Sequence, residues 1–191
     1  KGLDPFPKRS EGDRNQAKVI LGHLVDRDTY KLVPGKPAKH IIFWREPVSW
    51  VASRYNWAMN SSKNKGEPIV SFDEWYTQNE QRQSQIFWFL KNYGKMKLAR
   101  FKSPDKKLKL THELLETFSV VSLTERLNDD APKIFKLLDI PEEFTSANVA
   151  GVRHEKILAP SDELREKLSK KLAADFELYE FLKSRPSKFE L

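Results

Sequence analysis

The sequence contains no cysteine. That excludes a disulfide framework, iron–sulfur clusters, thiolate catalysis and cysteine-ligated zinc. The four histidines, His23, His40, His112 and His154, are scattered with no pair at helical ligand spacing, so no metal site is expected. Long apolar stretches are missing too. The longest unbroken run is Ile86-Phe87-Trp88-Phe89-Leu90, against the roughly 20 residues that a membrane-crossing helix needs. No repeat, low-complexity tract or Gly/Ser linker divides the chain. Its 191 residues are expected to form one domain, entered through an irregular lead-in over 1–17 that carries Pro5, Pro7 and Gly12.

What is present is aromatic and charged. Twelve Phe, five Trp and five Tyr supply enough apolar surface for a sizeable core. The net charge of +7 is concentrated in one place. Residues 91–109 hold eight basic residues (Lys91, Lys95, Lys97, Arg100, Lys102, Lys106, Lys107 and Lys109) against Asp105, and the rest of the chain is neutral. Such a stretch attracts anions, or it is a solvated loop and helix surface. It has few interleaved aromatics and no recognised reader motif, so a specific nucleic-acid partner is not expected.

Hydrophobic spacing yields an alternating order of elements. Lys18–Leu21 reads as a short strand ended by Gly22. His40–Trp44, apolar and β-branched, reads as a buried strand. A helix should follow at once, since Pro47 suits a first helical position and Val48, Val51, Ala52, Tyr55 and Met59 recur at helical spacing. Ser71 and Glu74 form a capping-box pattern. Helices are expected over 80–92 and 105–117, a second buried strand over 118–123, and a helix over 124–138. Ser161 should cap one last long helix bearing Leu164, Leu168, Leu172, Phe176, Tyr179 and Leu182. The predicted class is α/β, with a mainly parallel central sheet flanked by helices. In such sheets ligands bind beyond the carboxyl ends of the strands. Two places on this chain fall there, Gly22-His23 and Trp44-Arg45-Glu46-Pro47.

The second place carries a specific pattern. In Ile41-Ile42-Phe43-Trp44-Arg45-Glu46-Pro47 an arginine ends a buried strand just where a helix begins, and Ser53 and Tyr55 follow within that helix. Arg45 would stand at the helix entrance, where unpaired backbone N–H groups favour an anion. Its guanidinium fork can donate two hydrogen bonds to a phosphate, and the Ser53 hydroxyl can add a third.

Arg45-Glu46-Pro47 with Ser53 and Tyr55 resembles the 3′-phosphate-binding motif of sulfotransferases that use 3′-phosphoadenosine 5′-phosphosulfate (PAPS). The likeness is to the carbohydrate sulfotransferases of the heparan sulfate 2-O type and their bacterial relatives, where the motif opens Arg-Asp-Pro. Glu46 stands here for the commoner Asp, and Trp50 stands where many members carry arginine. Four further segments resemble the family in order: Val19–His23, Gln83–Phe89 (chiefly Gln85), Val121–Leu127 with its Thr-Glu-Arg, and Asp175–Phe181 with its Asp-x-x-Leu-Tyr. The resemblance implies a P-loop-like sulfotransferase fold in which Arg45 and Ser53 hold the 3′-phosphate of PAPS. It implies that His23 is the general base on an acceptor hydroxyl, and that Arg153 closes over the cosubstrate. The acceptor would be a carbohydrate or other polar hydroxyl compound, and an anionic glycan would suit the basic 91–109 stretch. The family's Gly- and Lys-rich phosphosulfate loop has no counterpart here: Gly35-Lys36-Pro37 precedes a strand, and residues 1–18 contain nothing similar. The fold's first strand and loop are therefore expected in an N-terminal portion preceding Lys1.

Two other functions compete with transfer: a catalytically inactive sulfotransferase-like module that binds a nucleotide or anion, and an anion binder driven by 91–109 alone. The absence of cysteine suits a bacterial cytoplasm. The triplet Asn60-Ser61-Ser62, a glycosylation sequon, would suit the lumenal domain of a Golgi-type membrane protein instead.

Overall fold

A computed structural model describes residues 6–17, 20, 26, 28–33, 35, 37–78, 80–94, 103–139 and 155–190. These form an α/β arrangement with eight α-helices and a small mixed sheet. Strand β1 (Ile41–Trp44) pairs in parallel with β2 (Val120–Leu123), Ile41 facing Val120 and Trp44 facing Leu123. A two-residue strand, β3 (Lys188–Phe189), runs antiparallel on the other side of β2. The sheet is thus mixed among the described residues, where a mainly parallel one was expected. Of the strand expected over 18–21, only Ile20 is described.

The helices follow their local chemistry closely. The lead-in is not wholly irregular. It holds the short α1 (Glu11–Asn15), because the Ser10 hydroxyl accepts from the Asp13 N–H at 3.1 Å. Helix α2 (Pro47–Asn64) begins with Pro47 in its first turn and buries Val48, Val51, Ala52, Tyr55 and Met59 along one face, as the spacing predicts. Helix α3 (Phe72–Gln78) starts where the Ser71 hydroxyl accepts from the Glu74 N–H. The expected 80–92 helix is two pieces, a 3₁₀ turn over Glu80–Gln83 and α4 (Gln85–Tyr93), because Ser84 caps a fresh start by accepting from the Phe87 N–H. Helix α5 (Pro104–Leu115) leads into β2. A 3₁₀ turn over Thr124–Arg126 then opens α6 (Leu127–Leu137).

The expected long last helix is broken. Helix α7 (Asp162–Ser169), capped by Ser161, ends before α8 (Ala173–Lys183) begins. Packing explains the break, because the molecule has two apolar clusters. One gathers α2, α3 and α7 through Val51, Tyr55, Trp75, Leu164, Leu168 and Leu172, with Phe176 against it. The other gathers the sheet with α4, α5 and α8 through Trp44, Phe89, Leu115, Val121, Leu178 and Tyr179. One straight helix would offer all its apolar residues to a single face. The turn at 170–172 redirects the chain, so that α7 with Leu172 and Phe176 serves the first cluster while Leu178 and Tyr179 of α8 serve the second. Each fully buried side chain of this size contributes about 1.5–3 kcal/mol, so neither cluster is dispensable.

Candidate functional site

The sheet ladder stops at Trp44, so the backbone of the next residue needs other partners. Gln85, the first residue of α4, supplies them. The Arg45 N–H donates to Gln85 Oε1 at 3.1 Å, and Gln85 Nε2 donates to the Arg45 carbonyl at 2.6 Å. One side-chain amide therefore holds both backbone groups of Arg45, as a neighbouring strand would. The turn after β2 braces the same point. Thr124 Oγ1 donates to the Trp44 carbonyl at 3.2 Å, and the Glu46 N–H donates to Glu125 Oε1 at 3.1 Å. None of these holders is a neighbour in sequence.

Gln85 is itself fixed. Asp175, in the first turn of α8, is 3% exposed. Its Oδ1 accepts from the N–H groups of Gln85 (2.6 Å) and Ile86 (3.1 Å), and its Oδ2 accepts from the Ser84 hydroxyl (2.7 Å). A carboxylate at a helix start is favoured by the N–H groups left open there. Desolvation works the other way and is the larger effect, so the carboxyl is pushed up to about 6 despite those bonds.

The helix entrance differs from the sequence expectation. The first turn of α2 is capped from within, because the Glu46 side chain takes one of the N–H groups expected to favour an anion. Its Oε2 accepts from the Ser49 N–H at 2.7 Å, while Arg165 Nη2 of α7 lies 2.9 Å from its Oε1. Pro47 has no N–H, and the Trp50 N–H goes to the Glu46 carbonyl. Among the described residues no carboxylate pairs with the Arg45 guanidinium. Ser53 is exposed on α2, about 9 Å along the axis from Pro47.

Beside Ser53 the same helix presents a cationic and aromatic group. The Arg54 guanidinium lies 4.7 Å from the Trp88 ring centroid and 5.6 Å from that of Trp50, and Arg54 Nε donates to Gln83 Oε1 at 3.2 Å. Burial, with a contribution from Arg82, lowers the Arg54 pKa. Lys91 Nζ also lies over the Trp88 ring, 5.0 Å from its centroid. Further along α2, Trp57 is 67% exposed.

The opposite flank of α2 carries two asparagines one turn apart, and both hold the extended segment 155–158. Asn56 donates to the Leu158 carbonyl (2.8 Å) and accepts from the Leu158 N–H (2.7 Å). Asn60 does the same for Glu155, at 2.8 and 3.0 Å. Asn60 is buried and its Nδ2 also donates to the Asn56 carbonyl, so in the folded chain the sequon it begins is not presented as a glycosylation acceptor.

His23, Arg153 and residues 95–102 of the basic stretch lie outside the described residues. The part of that stretch on α5 is solvent-facing, with Lys106 and Lys109 exposed. Among the described residues no cluster of side chains has the makings of a metal site, and no helix is long and apolar enough to cross a membrane. A cavity of about 300 Å³ opens away from Arg45, between α5, β2, α8 and residues 185–190, with His112, Arg126, Phe181 and Lys188 in its wall. Compared with family models, curated proteins and solved structures, the chain finds no match among any of the three.

Proposed function

We propose that this chain is part of a PAPS-dependent sulfotransferase acting on a hydroxyl of a carbohydrate or other polar acceptor. One observation carries the proposal. The segments that resemble the family in sequence (Arg45–Tyr55, Gln85, Thr124–Glu125 and Asp175) are far apart in the chain, yet Gln85, Thr124 and Glu125 bond to the backbone at the end of β1 and Asp175 bonds to the backbone of Gln85.

In this reading Arg45 and Ser53 hold the 3′-phosphate. The guanidinium suits it through paired, charge-assisted hydrogen bonds. The backbone of Arg45 is clamped on both sides, so less freedom is lost when the anion arrives. His23 takes the proton of the acceptor hydroxyl as its oxygen attacks sulfur. The new O–S bond forms in line with the S–O bond that breaks, and the electron pair leaves on the phosphate oxygen of 3′-phosphoadenosine 5′-phosphate. Arg153 and the phosphosulfate loop would neutralise that oxygen as charge develops. The fold this implies is the P-loop-like one.

A second reading has its own observation. The 191 residues contain no phosphosulfate loop, so a module that binds the nucleotide without transferring sulfate is the alternative. Calorimetric titration with 3′-phosphoadenosine 5′-phosphate tests the shared premise. Arg45→Ala is expected to weaken binding by about 10- to 150-fold, the worth of a charged hydrogen-bonded contact. Equal affinity in wild type and variant would remove both readings. Assay of the full-length protein for acceptor sulfation, with and without His23→Ala, then separates enzyme from binder.

A further inference from the structure

Among the described residues the Asp175 carboxylate has no ion pair, and its bonds to other residues go to the start of α4. We propose that Asp175 is a positioning residue for Arg45: it fixes Gln85 through the first turn of α4, Gln85 fixes both backbone groups of Arg45, and the charge on Asp175 thereby sets how firmly the anion-binding side chain is presented. The last clause rests on the function proposed above. The link from Asp175 to Arg45 does not.

The geometry leaves few other routes. Three acceptor contacts of 2.6–3.1 Å run from one buried carboxylate to Ser84, Gln85 and Ile86. The Gln85 side chain leaves that same turn and ends on Arg45. Bonds to an ionised acceptor are roughly twice as strong as bonds to a neutral one, so protonating Asp175 loosens the turn that aims Gln85. Few groups compete to titrate in this region. From α3, the buried Tyr76 hydroxyl faces Asp175 and is pushed up to about 12 by burial, with Glu80 and Asp175 adding to the rise. Lys171, before α8, lies over the Tyr76 ring at 5.0 Å and pairs with Glu80 at 2.9 Å. Ser84, Gln85 and Ile86 of α4 do not titrate. Asp175, at about 6, changes charge in mildly acidic solution.

The consequence is a pH response passed 90 residues along the chain from Asp175 to Gln85 and a further 40 from Gln85 to Arg45. In isotope-labelled protein the Arg45 backbone amide is expected to shift with a midpoint near 6, and to show no such step in Asp175→Asn, which keeps the shape and removes the charge. The second arm is titration with 3′-phosphoadenosine 5′-phosphate across the same pH range. Above the midpoint Asp175→Asn should bind about fivefold more weakly than wild type, and below it the two should converge. The ligand's own 3′-phosphate also titrates near pH 6, but equally for both proteins, so only their difference counts. An Arg45 amide that stays flat in wild type overturns the proposal, and so does equal nucleotide affinity of variant and wild type at every pH. If the amide titrates while wild type binds no nucleotide at any pH, the function proposed above falls and the Asp175–Arg45 link stands.

Discussion

Asn60 holds Glu155 by both of its backbone groups, its Nδ2 donating to the Glu155 carbonyl and its Oδ1 accepting from the Glu155 N–H. Asn56 repeats the arrangement on Leu158 one turn nearer the start of α2. Two side chains on a helix thus do for segment 155–158 what the edge of a sheet would do, and no strand is needed beside it. The exposed pair between Lys63 and Glu155, at 2.6 Å, adds a clasp at the end of the segment and holds the Glu155 carboxyl below its usual range.

Replacing either asparagine with alanine leaves two backbone groups of the segment without partners. Each substitution is expected to cost about 1–3 kcal/mol, with Asn60→Ala the larger because that residue is buried. Amide exchange over 155–158 should speed up in both variants. Lys63→Ala should leave it nearly unchanged, since exposed pairs contribute little. Equal exchange in all three proteins would mean that the segment is held by its apolar contacts, Ile157 and Leu158, instead.

Asp175 makes stability depend on pH in an unusual direction. Its folded pKa is raised from 3.8 to about 6. The stability linked to it is therefore complete in acid, below the unfolded value, and is lost as pH rises through about 6. At neutral pH the buried charge costs up to about 3 kcal/mol. Asp175→Asn is thus expected to melt higher than wild type near neutrality, with the difference shrinking in acid. The same variant is the one expected to bind nucleotide less tightly, a trade of stability for presentation of Arg45.

Asp130 of α6 works with the opposite sign. Burial acts to raise its carboxyl, but hydrogen bonds from Ser122 and Ser187 (both 2.5 Å) and from Lys133 (2.9 Å) outweigh that and hold it below the ordinary range. The stability it contributes is present above the unfolded aspartate value and is lost as pH falls through the lower folded one. Ser187 immediately precedes β3. Ser187→Ala should cost about 1 kcal/mol, weaken the acid sensitivity and release the β3 pairing, read as faster exchange at Lys188 and Phe189. Unchanged exchange there would show that register depends on the backbone bonds alone.

Arg54 tests packing against charge. Its guanidinium sits between the Trp50 and Trp88 rings and donates to the wholly buried Gln83. Arg54→Lys keeps the charge but loses the planar stack and the directed N–H, so it should destabilise by nearly as much as Arg54→Ala, about 1–2 kcal/mol. Tryptophan fluorescence should change in both. A lysine variant as stable as wild type would mean that the charge alone matters.

What could be read in advance was whatever a few adjacent residues decide. Pro47 with its helical spacing, the serine caps at 71 and 161, and the runs of β1 and β2 all fold as their local chemistry dictates. The two-residue β3 carries no such pattern. It pairs because Glu190 and Ser187 anchor it from either side, through the Ser119 carbonyl and Asp130. The split between α7 and α8 was hidden because their leucines keep helical spacing across it, and only the division into two apolar clusters breaks the helix. At the site, Arg45 and Ser53 stood out because their motif is local. Glu46 misled because glutamate is an uncommon cap, and its side chain closes an entrance that looked open. Gln85, Glu125 and Asp175 lay within recognisable segments, but their tasks depend on partners 40, 79 and 90 residues away.

Those separations matter while the chain is being made. Trp44 and Arg45 leave the ribosome well before residue 85, longer before residue 125, and long before residue 175. At cellular rates of elongation the interval from Arg45 to Asp175 is on the order of ten seconds. For the first part of it, until Leu123 has been made, the apolar run of β1 has no β2 to lie against, since their pairing joins Ile41 to Val120 and Trp44 to Leu123. The nascent protein therefore carries a sticky, unpaired strand while the residues between β1 and β2 are being made, and its yield in a cell should respond to chaperone supply more than the stability of the finished fold would suggest.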